Sequence, residues 1–200
     1  AFCFNPYKYE VNGEPTENTM LKGWCESAKI QSVKVLWQTK ENGDIGDPVL
    51  GVVNSSDDHK NIVDLINGDD FDKARIYCRV APNTTGGSGA IAAYNSKGEI
   101  LWSWHIWVTD YAPDAKADVS VDEPNKRVQK YTYGGKNQNP MMDRNLGAMA
   151  GYTDVPSNDL ERSKANGFHY QWGRKDPFPS TYSKAATTAN GTYSITVYAD

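Results

Sequence analysis

The chain has 200 residues, 38% of them hydrophobic and 23% charged, and 21 Lys and Arg against 25 Asp and Glu leave a net charge of −4. Lys and Arg form no cluster larger than a short pair such as Lys126-Arg127, which excludes recognition of a nucleic-acid backbone. The longest apolar run, Ile100–Val108, is interrupted by Ser103 and His105 and falls short of the roughly 20 residues a membrane-spanning helix needs.

A chain of this length buries about 70% of its unfolded surface, enough for a core without metals or many disulfides. Six Trp and twelve Tyr against five Phe are an unusual balance. Such amphipathic rings suit binding surfaces and half-buried β faces about equally. Cys3, Cys25 and Cys78 allow one disulfide in any of three pairings, and they do not decide the compartment. The chain opens on Ala1 with no signal-peptide pattern, so it is expected to begin after processing or trimming.

In chain order, Tyr7, Tyr9 and Val11 alternate up to the turn signal Asn12-Gly13. Val33, Val35 and Trp37 alternate with Ser32, Lys34 and Leu36 and predict a half-buried strand with the first three on one face. Pro48–Val53 is a short apolar run before the turn-forming 54–58 stretch, and Asn61–Ile66 has the mixed periodicity of a short helix. Along Arg75–Val80, Ile76, Cys78 and Val80 share one face, which makes Cys78 a small buried hydrophobe. The clearest prediction is a hairpin: apolar Ala90–Tyr94, a four-residue turn over 95–98, and a long strand over Glu99–Thr109. In that strand Ile100, Trp102, Trp104, Ile106 and Val108 form the inner wall, and Leu101, Ser103, His105 and Trp107 a mixed outer face.

Residues 110–118 carry no periodicity and read as a linker with a boundary near Pro113. Beyond it, strands are expected at Arg127–Tyr133, at Phe168–Trp172 and at Tyr193–Val197, with loops at Tyr152–Ser163 and Asp176–Asn190. The expected fold is therefore mainly β: an antiparallel β-sandwich over 1–112, then a loop-rich, irregular β module over 113–200.

Three stretches carry a resemblance. They are Gly89–Tyr94 running on through Glu99–Asp110, the Met142-Asp143-Arg144-Asn145-Leu146-Gly147-Ala148 segment, and Tyr170-Gln171-Trp172-Gly173-Arg174-Lys175-Asp176-Pro177-Phe178. In this order they resemble the C-terminal region of fimbrillin-like cell-surface proteins of Bacteroides type, over about Val33 to Phe178. The region from Asp143 onward is similar to the Fibrobacter major paralogous domain, a C-type-lectin-like fold. The resemblance implies secretion, attachment at the cell surface or in a pilus, and adhesion to glycans or proteins without a reaction. The lectin-like region of that family runs on well past its Asp-Pro-Phe motif, so a truncated or differently closed lectin-like module is expected here.

Nucleophilic catalysis has little support: His59, His105 and His169 sit in unrelated contexts and no Gly-x-Ser-x-Gly elbow occurs. No paired Cys or His announces a transition metal. Asp57-Asp58 and Asp69, Asp70 and Asp72 offer oxygens for calcium, yet acidic loop residues more often form solvated turns. The clusters Asp143-Arg144-Asn145 and Gly173-Arg174-Lys175-Asp176 read as ion-pair networks that tie loops together. Sugar rings stack on Trp and Tyr while amides hold their hydroxyls, and Tyr131, Tyr133, Asn137, His169, Tyr170 and Trp172 supply that mixture in the second half, with Gln138, Asn139 and Gln171 close in sequence.

The reading that follows is an extracellular, surface-associated adhesion protein, a fimbrial or pilus-tip component with a glycan- or protein-binding surface. No catalytic residue, metal or cofactor is assigned. Its partners would be glycans, surface proteins or neighbouring pilus subunits joined by strand addition, not nucleic acid. The alternative is a secreted glycosidase-like enzyme or its accessory carbohydrate-binding module.

Overall fold

In the computed structural model, which describes residues 1–26, 29–39, 47–114, 123–177 and 195–197, the chain is mainly β. The first half comprises β1 (Phe2–Phe4), β2 (Lys8–Val11), β3 (Glu14–Glu17), α1 (Thr19–Cys25), β4 (Ser32–Thr39), β5 (Val63–Ile66), β6 (Arg75–Cys78), β7 (Gly87–Tyr94) and β8 (Ile100–Val108). The second half comprises β9 (Val128–Gln129), β10 (Thr132–Tyr133), β11 (Lys136–Asn137), β12 (Met141–Met142), α2 (Asp159–Ala165) and β13 (Ile195–Val197).

The long alternating stretch forms the longest strand, β8, hydrogen-bonded along β7 as expected. A four-stranded antiparallel sheet runs β13-β4-β7-β8, and a three-stranded sheet β1-β6-β5 faces it across the core. Val33, Val35, Ile91 and Ala93 from the first sheet meet Val63, Ile76 and Cys78 from the second, with Leu21 and Cys25 of α1 closing one side. Full burial of each large side chain contributes about 1.5–3 kcal/mol, so this two-layer contact is the main source of stability. Cys78 is buried as the alternation requires, and burial pushes its thiol up to about 12.

Strand β7 is buried along its whole length because both of its faces are covered. Its small residues permit this: a Cβ at Gly89 would stand 2.9 Å from Leu50 Cδ1. Ile91 faces the core, and Ala90 and Ala92 face the other way. On that outer side β8 presents Ser103, His105 and Trp107, and the second half packs onto them. The Phe168 ring lies 4.6 Å from His105 and 5.4 Å from Trp37, and Trp107 packs against Tyr111 at 6.1 Å. Ser103 is buried beneath Lys175, whose Nζ donates to the Ser103 carbonyl and hydroxyl at 2.7 Å each, and Ser103 Oγ donates to Asp176. Burial of His105, whose Nε2 has no partner among the described residues, lowers its pKa to about 4.

Two bulges alter the expected faces. Between Val35 and Trp37 the pairing with β7 shifts, so Val35 sits opposite Ile91 and Trp37 opposite Ala90. Neighbouring residues of a strand point to opposite sides, so Trp37 leaves the face it was expected to share with Val33 and Val35 and meets Phe168 edge-to-face instead. A second shift makes Leu101 the extra residue between Ile100 and Trp102. Leu101 then packs against the core and Ile100 is half exposed, while Trp102, Trp104, Ile106 and Val108 keep the inner wall.

Other expectations are corrected locally. Val63–Ile66 is a strand, not part of a helix, because its residues pair with Arg75–Cys78. Two seven-residue helices appear where none was expected. Asn18 Oδ1 caps α1 by accepting from Leu21 N–H at 3.1 Å, and Asn158 Oδ1 starts α2 by accepting from Glu161 N–H at 2.9 Å. Arg127–Tyr133 is broken into β9 and β10, and 168–172 forms no extended strand, with a turn closed by Arg174 N–H donating to the Gln171 carbonyl. Tyr111 is not linker: it is buried, and Ala112 and Asp114 donate to the carbonyls of Asn125 and Lys126. Asp70 accepts from the amides of Asp72 and Lys73, and Asp72 pairs with Lys8 at 2.9 Å, so these acids serve their turn. Residues 115–118 of the linker, Phe178 of the third stretch, 179–190 of the last loop and Tyr193 lie outside the described residues.

Candidate binding groove of the second half

Between Glu123 and Pro177 the described residues form only two-residue strands and one short helix, so this stretch needs polar ties to hold its loops. Their centre is the Asp143-Arg144 step. Asp143 Oδ1 accepts from Arg144 Nε at 2.7 Å and its Oδ2 lies 3.2 Å from Arg127 Nε, with Asp143 and Arg144 side chains only 6% and 3% exposed. Arg144 also donates to the carbonyls of Met149 (3.2 Å) and Pro124 (2.6 Å), and Arg127 donates to that of Gly151 (2.7 Å). The Arg144 guanidinium lies 3.9 Å from the centre of the Tyr111 ring. The Tyr111 hydroxyl donates to the Arg127 carbonyl and accepts from the Asp143 amide. Four separate stretches of chain, Tyr111, 124–127, 143–144 and 149–151, thus converge on one carboxylate and two guanidiniums, an arrangement whose planar, forked geometry suits Arg.

The packing around this clamp leaves no room for side chains at two glycines. A Cβ at Gly151 would collide with the Asp143 carboxylate, and one at Gly147, where φ is +84°, would collide with the Phe168 ring. Gly147 also needs the left-handed backbone that a side chain resists.

Over the clamp lies an open groove of about 770 Å³, floored by Asp143, Arg144 and Asn145. Tyr131, Met141, Leu146, Tyr152 and Val155 rise along it, each substantially exposed. Tyr152 also lines a cleft of about 500 Å³ that reaches Thr109 and Asp110 at the end of β8, and a smaller one of about 290 Å³ beside Arg127 and Lys130. It therefore borders all three depressions. Burial, and then the Glu161 carboxylate, push its phenol up. Apolar flanks over a rigid polar floor suit an amphipathic ligand. Both oxygens of Asp143 face guanidinium nitrogens, so this carboxylate ties the loops together.

Of the residues the sequence singled out, Tyr131 lines the groove, its hydroxyl donating to Gln129. Tyr133 and Asn137 sit on the β10–β11 hairpin outside it, Asn137 Oδ1 accepting from Thr132 at 3.1 Å and Tyr133 82% exposed. His169 and Tyr170 are exposed, and Trp172 is completely so at the 171–174 turn. No hydrogen bond or ring contact among the described residues joins the 131–137 set to the 169–172 set. Sequence reasoning passed over Met141, Leu146, Tyr152 and Val155, which lie in aperiodic segments and carry no local signal. No protein-family model, curated protein or solved structure matches the chain.

Proposed function

We propose that the chain is an extracellular, cell-surface adhesion protein that holds a glycan or an exposed segment of a surface protein in the groove around Tyr131 and Tyr152. The observation that carries this reading is the contrast between floor and flanks. The Asp143-Arg144 clamp is buried and rigid, yet Tyr131, Met141, Leu146, Tyr152 and Val155 stay exposed directly above it. A cluster of exposed apolar side chains on a fixed frame costs solubility unless something covers it. The Tyr131 hydroxyl already donates to Gln129, so that ring loses less entropy when a ligand arrives.

The test is a glycan array probed with the purified chain beside a Tyr131→Ala/Tyr152→Ala double variant that melts with the parent. The reading expects at least one glycan class to bind the parent and to lose about tenfold or more in the variant, as expected when stacking contacts of about 1–3 kcal/mol are removed. Equal binding by both proteins, or none by either on glycan and surface-protein arrays, refutes it.

A second reading, a pilus subunit joined by strand addition, is favoured by nine-residue β8 forming the outer edge of its sheet. It expects concentration-dependent polymers of the purified chain; a strictly monomeric chain sinks it.

A further inference from the structure

A second aromatic concavity lies in the first half and shares no residue with the groove. A cleft of about 400 Å³ opens between the start of β2, the N-terminus of α1 and the core-facing side of β8. Trp102 and Trp104 form its wall, with Tyr9, Asn18, Thr19 and Met20 around them. Because β8 is an edge strand, these two indoles reach the margin of the sandwich and are only partly buried. Their positions are held from outside the cleft. The Phe4 ring meets Trp104 edge-on at 5.4 Å, Trp24 leans on Trp102 at 5.5 Å, and Lys175 Nζ lies 4.9 Å from the centre of the Trp102 ring.

The polar groups of the cleft narrow the ligand class. Asn18 Oδ1 is committed to the cap of α1, which fixes that side chain and leaves its Nδ2 without a protein partner among the described residues. Thr19 Oγ1 and the Tyr9 hydroxyl also lack one. A purely apolar occupant would displace water from these groups and return no hydrogen bond, whereas an occupant with hydroxyls replaces the water it displaces. The lining offers little to balance a charge. Lys8 is the one ionisable amine of the lining and already pairs with Asp72 at 2.9 Å, and no carboxylate lines the cleft. What fits is a neutral molecule with a flat C–H face for the indoles and hydroxyls for Asn18, Thr19 and Tyr9. The volume lies within the range typical of small-ligand sites.

We propose that this cleft is a binding site for a neutral pyranose residue, stacked on Trp102 and Trp104 and held at its hydroxyls by Asn18, Thr19 and Tyr9. It is independent of the second-half groove, so a chain with both sites would grip a surface at two points.

The experiment uses the full chain labelled with 5-fluorotryptophan, its resonances assigned by single Trp→Phe variants. It is titrated separately with the methyl glycosides of glucose, galactose and mannose and with N-acetylglucosamine. The expected result is a saturable shift of the Trp102 and Trp104 signals with at least one sugar, while Trp172 stays still. Tyr9→Phe/Thr19→Val, which removes two hydroxyls and keeps the shape, should weaken that binding about tenfold or more, and Tyr131→Ala/Tyr152→Ala should leave it unchanged. The proposal is overturned if no sugar moves these two signals, if the hydroxyl-deleted variant binds as well as the parent, or if binding disappears with the groove variant. It is equally overturned if the signals move with protein concentration alone, which would mean that a second copy fills the cleft.

Discussion

Replacing Asp143 with Asn tests whether the second half is held by its ionic clamp. The substitution keeps the size and one acceptor but removes the charge that two guanidiniums face at 2.7 and 3.2 Å. Arg144 is almost completely enclosed, so its charge cannot turn to water for compensation. Removing one partner of a buried pair costs about 3–5 kcal/mol. Arg127 is somewhat more exposed and Asn retains one bond, so about 3 kcal/mol is expected, a large fraction of the 5–15 kcal/mol typical of a folded domain. Urea denaturation followed by tryptophan fluorescence measures the change. Asp159→Asn is the control: its partner is Arg162, both side chains face water, and the expected loss is within about 0.5 kcal/mol. If Asp143→Asn costs no more than this control, the clamp does not carry the second half.

Three further outcomes follow from the packing. His105 has a folded pKa near 4 against an ordinary 6.5, so the unfolded chain takes up the proton first as pH falls. Its contribution is complete above pH 6.5 and is lost between there and about pH 4; the full shift corresponds to about 3 kcal/mol, and partial solvent access reduces it to about 1–2. Stability measured across this window should fall less steeply in His105→Gln, and an unchanged slope refutes the assignment. Gly147→Ala combines a collision with Phe168 and an unfavourable left-handed backbone, and should lower stability by about 3 kcal/mol or more in thermal melts, whereas Gly173→Ala, at a similar φ of +77° but with open space around it, should lose only the backbone part, about 1–2 kcal/mol. Of the three thiols, Cys3 alone is exposed, so a thiol reagent should modify one cysteine per folded chain and three after denaturation; rapid modification of Cys25 or Cys78 in the folded chain contradicts the core described here.

The centre of the fold was legible because β8 repeats its pattern over nine residues and the turn before it is rich in turn formers. Long period-two patterns leave little freedom over which face is buried. The bulges at Leu36 and Leu101 were not legible, since an extra residue in a strand leaves no mark in the alternation and is imposed by pairing with β7. At seven residues, α1 and α2 are too short to show a helical period; the available signals were the caps, Asn18 and the Asn158-x-x-Glu161 spacing. The Asp143-Arg144 pair was readable as a structural tie because acid and base stand side by side on an aperiodic segment. The groove above it was not, because its flanks come from segments whose meeting depends on Arg127, Arg144 and Tyr111 binding distant backbone carbonyls and amides. Tyr131 was found through its chemistry, and its neighbour Tyr152, which sequence alone gave no reason to choose, borders all three depressions.

The most direct measurement is an NMR footprint of the strongest glycan or peptide from the arrays on the intact, isotope-labelled chain. The account predicts perturbations concentrated on Tyr131, Met141, Leu146, Tyr152 and Val155, with the buried Asp143 and Arg144 signals little changed in position and protected from exchange. A footprint confined to the exposed turn of Tyr170 and Trp172, or perturbations spread evenly over the surface, would contradict it.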